Sequence, residues 1–334
     1  MLHSRVVPLL LPCLVVVGFL SAQNRNDTGD PAGLRVDIRL VNVTATVTDL
    51  NGRYANGLTK DDFVVEEDGV PQKIAHFSQD HDVPVSVGIV LDTSGSMERK
   101  IRTAIRAVED FIQTIHEDDD IFLMTFASKA ILRQDFTNNR EKLRKALEHI
   151  PVTGGTALYD ALEEGLNKVK SGHHDKRAIL LITDGEDTHS TVTFNEALRT
   201  VSQSQLLVYA LGISPQTYGE KTEHVPFNWP PSVGGPRVLR NPAPTRRDTV
   251  DMNVLRNFAS YSGGRAFLLS DSVLGAGNEI QRVLSMVADE LRGQYTLGYY
   301  PTHSDDDRFH TLKIRTRPGL LVRARQGYLA ASSP

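Results

Sequence analysis

Val85-Ser86-Val87-Gly88-Ile89-Val90-Leu91-Asp92-Thr93-Ser94-Gly95-Ser96 is the stretch on which the reading of this chain turns. Val85–Leu91 is apolar almost throughout, the mark of a strand buried on both faces, and it stops on an acid followed by small and hydroxylated residues. Downstream, Ile101, Ile105, Val108, Ile112 and Ile115 fall on one helical face, and Ile121–Phe126 is the next apolar strand. Arg140–Ile150 reads as a helix, and Leu158, Leu162, Leu166 and Val169 stripe another. Ala178–Thr183 is a strand ending on Asp184, Phe194–Ser202 a helix and Leu206–Ile213 a strand. Val254–Tyr261 is helical, Arg265–Leu269 extended, and Ile280, Val283, Val287 and Leu291 line a last helix. Strands alternating with helices in this way predict an α/β fold: a doubly wound, mostly parallel sheet covered on both faces, spanning residues 84–292.

In such a sheet, ligands sit outside the carboxyl ends of the strands, where the strand order reverses. Asp92-Thr93-Ser94-Gly95-Ser96 and Thr183-Asp184-Gly185 each follow a central strand, and Gly154-Gly155-Thr156 opens the helix between them. If the two strands are neighbours, Asp92 and Asp184 face each other. Two carboxylates ~5 Å apart repel by about 3 kcal/mol at an effective dielectric near 20, and a small divalent cation removes that repulsion. Ser94, Ser96 and Thr156 add neutral hydroxyl oxygens. An all-oxygen set of this kind suits Mg²⁺ or Mn²⁺, with water completing the shell. Because most of these ligands are neutral, the ion keeps residual positive charge and an exchangeable place for a partner's carboxylate.

The flanks have β character. Val36, Ile38 and Leu40 alternate with polar residues, the phase slips at Leu40-Val41, and Val41, Val43, Ala45 and Val47 continue with period two. Asp68-Gly69 is a hairpin turn joining Phe63–Glu66 to Gln72–Phe77. At the other end Tyr295–Tyr300, Phe309–Thr316 and Leu320–Arg325 read as strands. Neither segment (34–83 or 293–330) has enough strands for a stable sandwich by itself; together they form one around the inserted α/β region, or else remain separate small units. Residues 214–250 interrupt the alternation with seven of the chain's sixteen prolines and its only tryptophan, Trp229, and read as a mobile surface excursion, the alternative being a binding loop anchored by Trp229.

Composition narrows the function. The 334 residues are 40% hydrophobic and 23% charged with a formal net charge of −4, which gives no reason to expect nucleic acid as a partner. Arg5, the apolar run Val6–Leu20 and Leu20-Ser21-Ala22 have the three-part layout of a secretory signal over residues 1–22, followed by a polar linker at 23–33. Export with cleavage places the protein in the periplasm or outside the cell, with no membrane span in the mature chain. Cys13, the single cysteine, lies inside that signal, so disulfides and thiolate metal sites are excluded from the mature protein. The eleven histidines form no zinc pattern, His173 and His174 being adjacent. Gly212-Ile213-Ser214-Pro215-Gln216 lacks the last glycine of a nucleophile elbow, and no phosphate-binding Gly-Lys loop occurs. Met97 reads as packing, Glu186 and Asp187 as loop acids, and Glu117–Asp120 as a polar turn.

Asp92, Ser94 and Ser96 as Asp-x-Ser-x-Ser, with Thr156 and Asp184 in order behind them, resemble the metal-ion-dependent adhesion site of von Willebrand factor type A (VWA) domains. The resemblance covers about Pro84–Arg292. The flanking Gln294–Tyr300 and Arg325–Tyr328 are similar to VWA-related proteins described from Acidobacteria. The family implies a Rossmann-like fold, metal-mediated binding and, in some members, a shift of the last helix on ligation; the proline-rich excursion departs from a minimal VWA domain. The resulting expectation is a non-enzymatic binding module that recognises a protein presenting Asp or Glu. The alternative is a structural or envelope-assembly protein in which the metal only stiffens the loops. A metal-dependent hydrolase would further require a general base beside the ion.

Overall fold

The computed structural model describes residues 40–79, 83–214, 250–270, 276–302 and 308–330. The signal, the linker, the Val36–Ile38 alternation and most of the 214–250 excursion, Trp229 included, lie outside the described residues.

Four strands come first: β1 (Val41–Asp49), β2 (Phe63–Glu67), β3 (Val70–Gln72) and β4 (Ile74–Gln79). The period-two set Val41, Val43, Ala45 and Val47 is buried, as the alternation requires of a one-sided strand. Asp68 and Gly69, with φ of 48° and 81°, make the tight turn between β2 and β3. The strand expected over Gln72–Phe77 is in fact two. Val70–Gln72 pairs with β2, and after Lys73 the chain leaves that sheet, so that β4 pairs with a strand from the far end of the sequence. Periodicity reports which face a residue occupies and is blind to such a change of sheet.

The central layer then runs β5 (Val85–Asp92), α1 (Ile101–Thr114), β6 (Asp120–Phe126), β7 (Ala130–Thr137), α2 (Arg140–Ala146), α3 (Leu158–Val169) and β8 (Lys176–Thr183). It continues through α4 (Phe194–Ser204), β9 (Leu207–Ser214), α5 (Met252–Ser262), β10 (Ala266–Ser270) and α6 (Ala276–Arg292). Among the described residues the strand order is β10-β9-β8-β5-β6-β7, parallel throughout except for the β6–β7 pair. The α/β reading thus holds, with one strand added to it. β7 sits at the sheet edge with no position fully buried, so it lacks the apolar run that identifies the others.

Both faces of the sheet are covered. Val87, Ile89 and Leu91 pack with Ala104, Val108, Phe111 and Ile112 of α1 and with Ile280, Leu284 and Val287 of α6. Val90, Phe122 and Leu181 face Leu162 and Leu166 of α3, Val201 of α4 and Phe258 of α5. A buried Val, Leu, Ile or Phe side chain contributes about 1.5–3 kcal/mol, an upper bound because unfolded chains already hide some surface. An apolar frame of this size tolerates buried charge at the strand ends. β5 is buried at every position, Asp92 included.

The last strands are β11 (Tyr295–Tyr299), β12 (Phe309–Thr316), β13 (Leu320–Ala324) and β14 (Gly327–Leu329). They interleave with the first four in two antiparallel sheets, β13-β1-β11-β4 and β14-β12-β2-β3. Val43, Val47, Phe63, Val65, Leu297, Tyr299, Leu312 and Tyr328 share one core between those sheets. A buried polar link ties this layer to the α/β layer. The Tyr209 hydroxyl of β9 donates to Glu290 Oε1 of α6 at 2.6 Å, and Glu290 is ion-paired with Arg323 of β13. The last helix is therefore fastened at its C-terminal end to a strand of the neighbouring sheet.

Candidate functional site

β5 and β8 are hydrogen-bonded neighbours in register Leu91↔Ile182, which places Asp92 beside Thr183 and Asp184 one residue beyond. From β5 the chain goes first to β6 on one side and later to β8 on the other, so the carboxyl ends of β5 and β8 flank the point where the strand order reverses. Asp92, Ser94 and Asp184 are each 0% exposed, and Thr156 is buried as well.

Three loops are stitched together there. Asp92 Oδ1 accepts the Ser94 amide at 2.9 Å, Asp92 Oδ2 accepts the Thr183 hydroxyl at 2.6 Å, and the Ser94 and Ser96 hydroxyls lie 3.0 Å apart. The Gly95 amide donates to the Gly154 carbonyl at 3.1 Å, tying the first loop to the second. The third loop closes on the second: the amides of Thr188 and His189 donate to the Thr156 carbonyl at 2.8 and 2.9 Å, and the Thr156 amide donates to Thr188 Oγ1 at 3.0 Å. Gly185, at φ +82°, turns the third loop with the Asp251 carbonyl directly against it; a Cβ would come within 2.8 Å of that oxygen. The rim at Gly95, Glu98, Gly154, Thr188 and His189 is exposed, and Ser96 is half-buried between rim and floor.

The electrostatics follow from burial. Loss of hydration, and next the charge of Asp184, push the Asp92 carboxyl up to about 7, while the hydrogen bonds from Ser94 and Thr183 pull the other way. Asp184 has a counter-charge that the sequence reading did not anticipate. Lys100 Nζ donates to its Oδ2 at 2.8 Å, and its Oδ1 accepts the Glu186 amide at 3.1 Å. Lys100 is 1% exposed. In sequence it closes the charged run Glu98-Arg99-Lys100, which looks like an ordinary solvated helix start.

The donor chemistry fits a hard divalent ion. Two carboxylates and the hydroxyls of Ser94 and Ser96 come together under an open rim, with Thr156 held in the adjoining loop. Among the described residues no three His, Cys, Asp or Glu side chains gather at one place, so a cation here would draw its other ligands from hydroxyl and water oxygens. Met97 packs in the apolar core and Asp187 caps the start of α3 through the Leu158 amide, so neither belongs to this set.

A second group of buried acids lies at the opposite, amino end of the same sheet. Asp119 accepts the Val85 amide at 2.9 Å through Oδ1, and the His116 amide at 2.8 Å and Arg292 Nη2 at 2.9 Å through Oδ2. Asp120 pairs with His173, and His174 Nε2 is 3.8 Å from its other oxygen. The polar turn read over Glu117–Asp120 is thus corrected: its last two residues are buried, because strand starts and a helix end supply the donors.

Residues 87–186 match the model of the von Willebrand factor type A domain family. The matched segment runs from β5 to the loop after β8, and so contains all five candidate positions. An uncharacterized protein of Synechocystis sp. is 32% identical over 146 residues, covering 42% of this chain and 35% of that protein. A UPF0353 protein of Nocardia farcinica is 25% identical over 237 residues, covering 67% of this chain and 66% of its own length. The chain thus spans about a third of the first relative and two thirds of the second. A solved von Willebrand factor type A structure from Catenulispora acidiphila aligns with 90% of this chain and 76% of its own, at 12% identity and a TM-score of 0.46. No helix of the described residues is long and apolar enough to cross a membrane.

Proposed function

We propose that the VWA domain is a metal-dependent protein-binding module. Asp92, Ser94, Ser96, Thr156 and Asp184 would hold Mg²⁺ or Mn²⁺, which would offer a coordination place to a carboxylate of an Asp or Glu on a partner protein. When bound, the ion supplies an electrophilic, exchangeable coordination place. The chain's own residues do the rest: the glycine turns bring the three loops together, the apolar frame excludes water below them, and the exposed rim leaves the upper side open. In this reading the protein is exported, acts in the periplasm or outside the cell, and catalyses nothing. The likeness of its flanking strands to VWA-related proteins of Acidobacteria belongs to the same proposal.

The observation that carries this is the pairing of two fully buried carboxylates at the strand-order reversal, one of them displaced to about 7 by burial and its neighbour. A purely stiffening role for the ion is less well supported, because hydrogen bonds between Gly95 and Gly154 and between Thr156 and Thr188 already hold the loops. The test is recovery of envelope proteins on the immobilised chain in Mg²⁺ and in chelator. Wild type is expected to retain a partner only in Mg²⁺. Asp92→Asn loses it in both conditions, with unfolding in chelator changed by no more than about 1 kcal/mol. Equal recovery in Mg²⁺ and chelator contradicts the proposal.

A further inference from the structure

Lys100 begins α1: its amide donates to the Met97 carbonyl at 2.8 Å, and its own carbonyl accepts the Ala104 amide at 3.0 Å. Its side chain therefore descends from the loop that carries Ser94 and Ser96 and ends on the acid of another loop, Asp184, 2.8 Å away. Lysine is seldom fully buried unless paired, and here both partners are hidden from solvent, the lysine 1% and the aspartate 0% exposed. The other bonds to the two carboxylates come from neutral donors: the amides of Ser94 and Glu186 and the hydroxyl of Thr183. The ammonium is the charged donor of this set, so its bond is an ion pair as well as a hydrogen bond.

We propose that Lys100 is a built-in competitor of the divalent cation for Asp184, setting how readily the site fills and empties. The inference rests on the metal-binding reading above and adds the control of occupancy. With the ammonium in place, the two carboxylates carry one net negative charge instead of two. A divalent ion entering nearby meets a like charge inside a water-poor pocket, where such repulsion is weakly screened. It must share Asp184 with the ammonium or displace it. Among the described residues no cation is paired with Asp92, so the two acids are unequal: Asp92 offers undivided charge to a metal, and Asp184 offers a charge already in use. The outcome is a site that follows the surrounding divalent concentration instead of retaining its ion permanently.

Calorimetric titration of the full chain with Mg²⁺ tests this, comparing wild type with Lys100→Met, a substitution close in length and apolar at a buried position. The variant is expected to bind Mg²⁺ at least about tenfold more tightly and to gain a larger rise in unfolding temperature from Mg²⁺ than wild type does. Equal or weaker binding by a folded Lys100→Met overturns the competitor role while leaving the metal site intact. Absence of Mg²⁺ binding in both proteins overturns the metal reading itself. Should the variant not fold, side-chain ammonium NMR of the lysine-labelled wild type gives the answer directly. The protected Lys100 signal seen in chelator is expected to exchange away or shift as Mg²⁺ saturates the protein, and an unchanged signal at saturation overturns the proposal.

Discussion

The two ends of the central sheet hold buried acids in opposite states. At the amino end Asp119 is saturated: two backbone amides and an arginine converge on it, and they join the starts of β5 and β6 to the last turn of α6. At the carboxyl end the charge of Asp184 burdens the buried Asp92, and the Lys100 ammonium is drawn to Asp184. The same residue type on the same sheet is thus a fastening at one end and a reserve of negative charge at the other. Burial alone does not make an acid functional; the number of donors left over decides it.

Substitutions sharpen this contrast. Asp119→Ala carries the largest expected effect. It strips the Val85 and His116 amides of their acceptor and Arg292 of its partner, and it is expected to lower the unfolding free energy by about 3–5 kcal/mol in urea titrations, equally in Mg²⁺ and in chelator. A loss that depends on Mg²⁺ would merge the two ends into one system. Next comes Gly185→Ala at the carboxyl end, where the +82° φ and the Asp251 carbonyl both resist a side chain. A cost of about 1–3 kcal/mol is expected, and because the third loop shifts, Mg²⁺ binding by calorimetry weakens as well. Unchanged Mg²⁺ affinity in that variant would detach the loop from the site. Asn139→Ala is the smallest. Its side chain caps α2 by accepting the Lys142 amide at 3.0 Å, beside the Arg140 bond to the Ile115 carbonyl at the amino end. About 1 kcal/mol should be lost in urea titrations with no change in Mg²⁺ affinity.

The contrast also explains what could be read from sequence. β5 and β8 are legible because continuous apolar runs end abruptly on Asp92 and at Thr183-Asp184, and those strand ends are what single out Asp92, Ser94, Ser96 and Asp184 as candidates, while Thr156 is drawn from the turn before α3. β7 is not, since an edge strand with half its surface in water has no apolar run. Lys100, Asp119 and Asp120 were invisible for a common reason. Each lies in a charged run, and whether such a residue is solvated or buried depends on donors and acceptors tens of residues away: Asp184 for Lys100, Val85 and Arg292 for Asp119, His173 for Asp120. The change of sheet at Lys73 belongs with them, being decided by β11 at the far end of the chain.

Anomalous diffraction from crystals soaked in Mn²⁺ measures the difference between the two ends most directly. A peak is expected at the carboxyl end, bounded by oxygens of Asp92, Ser94, Ser96 and Thr156, with Asp184 beside it, and none at the amino end. A peak seated among Asp120, His173 and His174, or no peak near Asp92 at saturating Mn²⁺, would contradict it.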